Sequence, residues 1–162
     1  LSLGDALSIA LMKKKKFGKL DFKKFHPAGN LGNKLKTASD LMLRKNKIPF
    51  VNENEIMKNA LRILNSKKLG FLVVKNKQGL NTGVFTDGDL KRLMQKKKSI
   101  DNLKIKLFMT KNPYNVEENM LASEILNQMN RRHITNVGVY NKQNKKKIVG
   151  VIHIHNLLNV LK

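Results

Sequence analysis

The sequence predicts a mixed α/β (α+β) chain built from two copies of one β-α-β-β-α unit. Two observations carry this reading. First, Val51-Asn-Glu-Asn-Glu-Ile56, followed by Leu69-Gly-Phe-Leu-Val-Val74, recurs as Val116-Glu-Glu-Asn-Met-Leu121 and Ile134-Thr-Asn-Val-Gly-Val139. Second, each copy closes on a similar turn into a helix, Gly83-Val-Phe-Thr-Asp-Gly-Asp-Leu90 in one and Gly150-Val-Ile-His-Ile-His-Asn-Leu157 in the other. These closing turns are offset by two positions more than the segments ahead of them, so a loop in copy two is longer by two. A recurrence at a spacing of about 65 residues marks one supersecondary unit duplicated, each copy covering an apolar face that the other leaves bare.

The elements follow from periodicity. Residues 2–16 place Leu3, Ala6, Leu7, Ile9, Ala10 and Leu11 at the spacing of a mostly buried helix. Lys13–Lys16 suit the negative end of its dipole. Asp21 can cap a second short helix carrying Phe22 and Phe25. The Pro and Gly of His26-Pro27-Ala28-Gly29-Asn30-Leu31-Gly32 then force a turn. Residues 36–47 read as a connector into the repeats. Copy one has a helix at 54–67, strands at 70–75 and 82–86, and a helix from Asp87 to Lys97. Copy two has a helix at 119–132, strands at 136–141 and 148–153, and a last helix from His155. Each unit is expected to form a three-stranded sheet with helices on one face, and two such units face to face leave a cleft between them.

Composition narrows the function. A chain of 162 residues makes one compact domain or two small, mutually dependent ones. No apolar run approaches the ~20 residues that span a bilayer. No export signal is expected from the first stretch, and without Cys there is neither a disulfide framework nor thiolate chemistry, which fits the cytoplasm. A first residue of Leu rather than Met suggests a fragment or an excised piece of a longer protein. The net charge of +22 invites a nucleic-acid reading, yet 28 of the 33 basic residues are Lys and five are Arg. Arg makes the bidentate contacts to phosphate and guanine. With two Tyr and no Trp there is no stacking platform for single strands. Nucleic acid is therefore the third choice of partner, behind small molecules, and no membrane association is expected.

The ending Gly83-Val-Phe-Thr86-Asp-Gly-Asp89-Leu90 on a β-α-β-β-α unit resembles a CBS domain, and the pair resembles a tandem CBS module. In that family the Gly-hydrophobic-hydrophobic-Thr/Ser-x-x-Asp ending is associated with nucleotide binding. The resemblance implies a hydroxyl, Thr86, near phosphate or sugar and a carboxylate, Asp89, accepting from ribose hydroxyls. Copy two has His153 and Asn156 at these positions, which suit an acidic sugar or a phosphate better than an adenosine ribose. Thr110 and Pro113, ahead of copy two, are further candidates to line the cleft.

The front of the chain adds a second resemblance. Leu3-Gly-Asp-Ala-Leu7 with Phe25-His-Pro-Ala-Gly-Asn-Leu-Gly-Asn-Lys-Leu35 is similar to the end of the sugar isomerase (SIS) domain of arabinose 5-phosphate isomerases, which join an SIS domain to a CBS pair in this order. Arg132-His-Ile-Thr135 is also similar to that family, and Ala28 departs from it where a second Gly is usual. The chain then divides into an SIS helical tail at 1–36 and CBS domains at 37–104 and 105–162. The resemblance implies conversion of ribulose 5-phosphate, a sugar phosphate, to arabinose 5-phosphate on the route to Kdo and lipopolysaccharide. It places His26 in the active site, with the other catalytic residues upstream, so this stretch alone is expected to be inactive. No cofactor is required, a nucleotide or CMP-Kdo is the expected effector, and a homo-oligomer, tetrameric in the parent, is the expected assembly. The alternative is a stand-alone CBS-pair nucleotide sensor without enzymatic activity.

Each site residue also has a plain structural reading. Thr86 and Asp89 are a common helix N-cap pair, and both roles can hold because a helix N-terminus favours phosphate. His26 could be a surface or capping histidine. His153 and His155, two apart at a strand end, lack the Cys or acidic neighbours of a zinc site, so no metal is expected. Met109, Met120 and Met129 read as core filler.

Overall fold

The computed structural model describes residues 2–18, 21, 25, 35–97 and 99–161. The first helix, α1 (Ser2–Lys14), forms where its apolar residues predict, but every residue in it is exposed, with Leu3 at 84% and Leu7 at 63%. That corrects the expected burial: the rest of the described chain covers none of its residues. Of the second predicted helix, Asp21 and Phe25 are described and helical, while Phe22 lies outside the described residues, as does the 26–32 turn with His26.

Copy one then comprises α2 (Ala38–Leu41), β1 (Leu43–Arg44), β2 (Phe50–Asn52), α3 (Met57–Lys67), β3 (Phe71–Lys75), β4 (Asn81–Thr86) and α4 (Asp87–Lys96). Copy two repeats the pattern with β5 (Thr110–Lys111), β6 (Asn115–Glu117), α5 (Ala122–Arg131), β7 (Asn136–Tyr140), β8 (Ile148–His153) and α6 (Ile154–Leu161). A 3-10 turn at Ile105–Leu107 stands where α2 stands in the first copy. Both α3 and α5 start about a turn later than periodicity suggests. The residue before each is held in a β-bridge, Ile56 to Lys104 and Leu121 to Thr37, and so cannot join the helix. Lys68 and His133, at equivalent places in the two copies, both adopt positive φ just beyond these helices, ending them alike.

The sheets are four-stranded, ordered β2-β3-β4-β5 and β1-β8-β7-β6, not three-stranded as expected. The extra strand of each comes from the other half of the chain. β5, which leads into copy two, pairs antiparallel with β4 of copy one, Gly83 opposite Lys111 and Val84 opposite Thr110. Reciprocally β1 pairs with β8, Arg44 opposite Gly150 and Leu43 opposite Val151. The stretch 36–47 is therefore no mere connector. Ala38 and Met42 are buried in the core of copy two, and the Ala38 and Ser39 N–H groups donate to the Met120 and Glu118 carbonyls.

This exchange explains two strand glycines. A Cβ on Gly150 would collide with Met42 Sδ, and one on Gly83 would lie 2.6 Å from Met109 Sδ. Each methionine of an exchanged segment thus packs where a side chain would otherwise stand. Met129 is fully buried and Met120 packs beside it, as core filler should.

The sheets pack face to face with the helices outside. On β3, Leu72 and Val74 meet the helices, with Met57, Ala60, Leu64 and Phe85 in the same cluster. The alternate residues, Phe71 and Val73, join Ile148 and Val151 of β8 in a cluster shared by both sheets. Such a strand is apolar on both faces, hence its continuous Phe-Leu-Val-Val run. Among the described residues no helix is long and apolar enough to cross a membrane.

Candidate functional site

A cleft of about 750 Å³ opens between the two copies. Thr86 and Asp89 enter it from the start of α4, Thr110 and Pro113 from β5 and the residues after it, and His153 from the end of β8. These predicted residues are brought together by the fold; Asn156 is absent from the lining. One turn into α6, Asn156 Oδ1 instead accepts the His153 N–H at 3.2 Å, half of a capping box.

In copy one that box is complete. The Thr86 N–H and hydroxyl both donate to Asp89 Oδ2, at 2.9 and 2.8 Å, and the Asp89 N–H returns to Thr86 Oγ1 at 3.1 Å. Asp89 Oδ1 accepts from Arg92 at 2.6 Å. Asp89 is 9% exposed, so its carboxylate serves as a structural cap first, with Arg92 spanning from it to the cleft wall. The Arg92 side chain is itself 66% exposed, and the ion pair adds little to stability.

Among the lining residues to which sequence reasoning gave no site role are Arg92, Tyr114, Arg132 and Asn136. The Arg132 guanidinium lies 4.1 Å from the centroid of the Tyr114 ring, a cation–π pair on one wall. Two of the five arginines in a lysine-dominated chain line this one cleft. Net charge hides that signal and arginine placement reveals it. The charged side chains Asp87, Asp89, Arg92 and Arg132 line the cleft together with the apolar Leu69, Phe71, Val84 and Ile134.

His153 occupies the place of Thr86 in copy two. Its Nδ1 accepts the His155 N–H at 3.2 Å, and the two rings lie 4.8 Å apart. Burial, and then the charge of His155, lowers its pKa from the ordinary 6.5. The sign follows from linkage: the unfolded chain takes up the proton more readily than the folded one. The contribution of neutral His153 to stability is therefore full above the ordinary value and lost as pH falls through the lowered one. His153→Thr, which copies the first repeat, should reduce the drop in melting temperature between pH 7.5 and 5. An unchanged drop in thermal melts of the variant would assign the acid sensitivity elsewhere.

The CBS domain family profile matches residues 38–96 and 104–162. The chain is 35% identical over 163 residues to the uncharacterized protein RP505 of Rickettsia prowazekii, covering 99% of this chain and 49% of that protein. It is 38% identical over 159 residues to the arabinose 5-phosphate isomerase KdsD of Salmonella typhi, covering 98% of this chain and 48% of the relative. The chain thus spans about half the length of the relatives it matches. Among solved structures, the CBS domain pair of protein MJ0100 in complex with 5′-methylthioadenosine and S-adenosyl-L-methionine superposes with a TM-score of 0.68 at 19% identity, covering 78% of this chain and 95% of that one. CBSX2 in complex with AMP superposes with a TM-score of 0.63 at 20% identity, covering 76% and 93%. With its two interleaved β-α-β-β-α units, and a profile match over both, the chain belongs to the CBS domain family as a tandem pair.

Proposed function

We propose that the cleft between the repeats binds a nucleotide-type effector, and that the chain is the effector-binding part of an arabinose 5-phosphate isomerase. The observation that carries the first half is one cleft lined both by apolar side chains, Leu69, Phe71, Val84 and Ile134, and by Arg92, Arg132 and the Thr86 hydroxyl. Apolar side chains accept the face of a base, while guanidinium groups and a helix N-terminus suit a phosphate. The complexes of MJ0100 and CBSX2 with adenosine-type ligands support the same ligand class. The likeness to KdsD supports the second half, in which His26 belongs to the isomerase site of the whole protein.

Titration calorimetry with AMP, adenosine and CMP-Kdo tests the binding. AMP should bind more tightly than adenosine, and Arg132→Ala should cost about tenfold for AMP, the scale of one charge-assisted hydrogen bond, while leaving adenosine unchanged. Equal losses for both would remove Arg132 from phosphate recognition, and no binding by any of the three would end the nucleotide reading. In an enzyme carrying both halves, the bound nucleotide should change turnover of ribulose 5-phosphate. A rate indifferent to it would separate the cleft from the isomerase.

A further inference from the structure

The two copies disagree at one position of the cleft floor. In copy one, Phe71 on β3 stands opposite Thr86 on β4; in copy two, Asn136 on β7 stands opposite His153 on β8. Phe71 is 2% exposed and packs into the cluster shared by the two sheets. The same register position in copy two carries an amide, and that amide is half used. Asn136 Nδ2 donates to Thr135 Oγ1 at 3.1 Å. Asn136 Oδ1 is, among the described residues, the buried side-chain polar atom with no hydrogen-bond partner.

An orphaned buried acceptor costs the folded state about 1–3 kcal/mol. Phe71 demonstrates that this backbone position takes an apolar residue. An unsatisfied group retained where an apolar one fits points to a use outside the folding of the chain. Asn136 lines the cleft, as do the apolar Leu69, Phe71 and Ile134. There an acceptor meets the edge of a base rather than its phosphate.

We infer that Asn136 reads the base, its Oδ1 accepting an N–H from the exocyclic amine of an aminated nucleobase. The inference rests on the nucleotide reading above. Rotation about the broad terminal χ2 torsion, with the Nδ2 bond to the exposed Thr135 given up, turns Oδ1 toward the cleft. The neutral His153 opposite holds Nδ1 as an acceptor for His155, which leaves its proton on Nε2 and makes it a donor. Acceptor and donor side by side distinguish this half of the cleft from the phenyl ring and hydroxyl of copy one.

The test compares ligands with and without the amine: AMP against purine riboside 5′-monophosphate, and CMP against UMP, by calorimetry on the whole chain. Wild type should prefer the aminated member of at least one pair by about tenfold or more, the scale of a lost partner for a buried polar group. Asn136→Leu should bind both members of that pair equally and melt no lower than wild type, because its orphaned acceptor is gone. The wild-type comparison needs no variant, so a poorly folding Leu protein does not protect the inference. Wild type binding both members of each pair equally overturns it. So does Asn136→Leu losing both members in equal proportion, which would make Asn136 part of the cleft's shape only. If none of the four binds wild type, the nucleotide reading itself falls.

Discussion

A chain shortened to begin at residue 49 is expected not to fold cooperatively, although both sequence repeats survive the cut. Removal takes away Ala38, Met42 and Ile48, all buried, together with the half-buried Leu41 and Leu43. Each large apolar side chain contributes roughly 1.5–3 kcal/mol by burial, and Met42, Ile48 and their half-buried neighbours together approach the ~5–15 kcal/mol of a whole small domain. The cut also strips β1 from β8 and orphans the Ala122 N–H, which donates to the Lys36 carbonyl at 2.8 Å. The loss falls on copy two, the half farther away in sequence. A chain beginning at residue 35 is the control. It keeps the whole exchange and discards residues 1–34, among them α1, whose thirteen residues are all exposed, and its melting temperature is expected to stay within about 4 °C, the shift of ~1 kcal/mol. Circular dichroism melts decide the matter: a cooperative transition for residues 49–162 close to that of 35–162 would show that the exchange is incidental.

Gly83→Val should be the most damaging single substitution in the sheets. A Cβ there would meet Met109 Sδ at 2.6 Å and the Thr110 carbonyl oxygen at 2.7 Å. The methionine can swing away, but the carbonyl cannot move without giving up the pairing of β4 with β5. The expected cost is ~3 kcal/mol or more, at the top of the overpacking range. Because Thr110 lines the cleft, ligand affinity should fall with stability. Gly4→Val serves as a contrast, since nothing lies within 4 Å of a Cβ there and only helix propensity changes. Equal denaturant midpoints for wild type and Gly83→Val would mean that β5 is not anchored as the contacts indicate.

Much of the fold was legible from local pattern. The continuous apolar run Phe71–Val74, the Ala60 and Leu64 helical spacing and the recurring turn each encode an element through its immediate neighbours. The cap at Thr86 and Asp89 is similarly local, three residues apart on one helix, and the structure forms it in full. By contrast, β1 and β5 are two residues long, too short to express a period of two. Their trace in the sequence is a methionine just ahead of each and a glycine in each partner strand. Nothing local links the two, since Met42 meets Gly150 and Met109 meets Gly83 only after folding.

The cleft divides along the same line. Thr86, Asp89, Thr110 and His153 could be found because a motif or a neighbouring turn marks them; Asn156 was placed beside them by motif alone and is turned into its own helix cap. Tyr114 and Asn136 carry no motif, and the resemblance around Arg92 and Arg132 gave neither a site role; the four meet only because the sheets pack face to face. By itself the sequence determined the duplicated unit, its helices and strands, and the capped turn that closes each copy, since all of these depend on residues a few positions apart. Which half of the chain completes each sheet, and which side chains share the cleft, was decided by tertiary structure alone. Both depend on contacts between segments far apart in the chain, where hydrophobic pattern records that a face is buried but not what buries it.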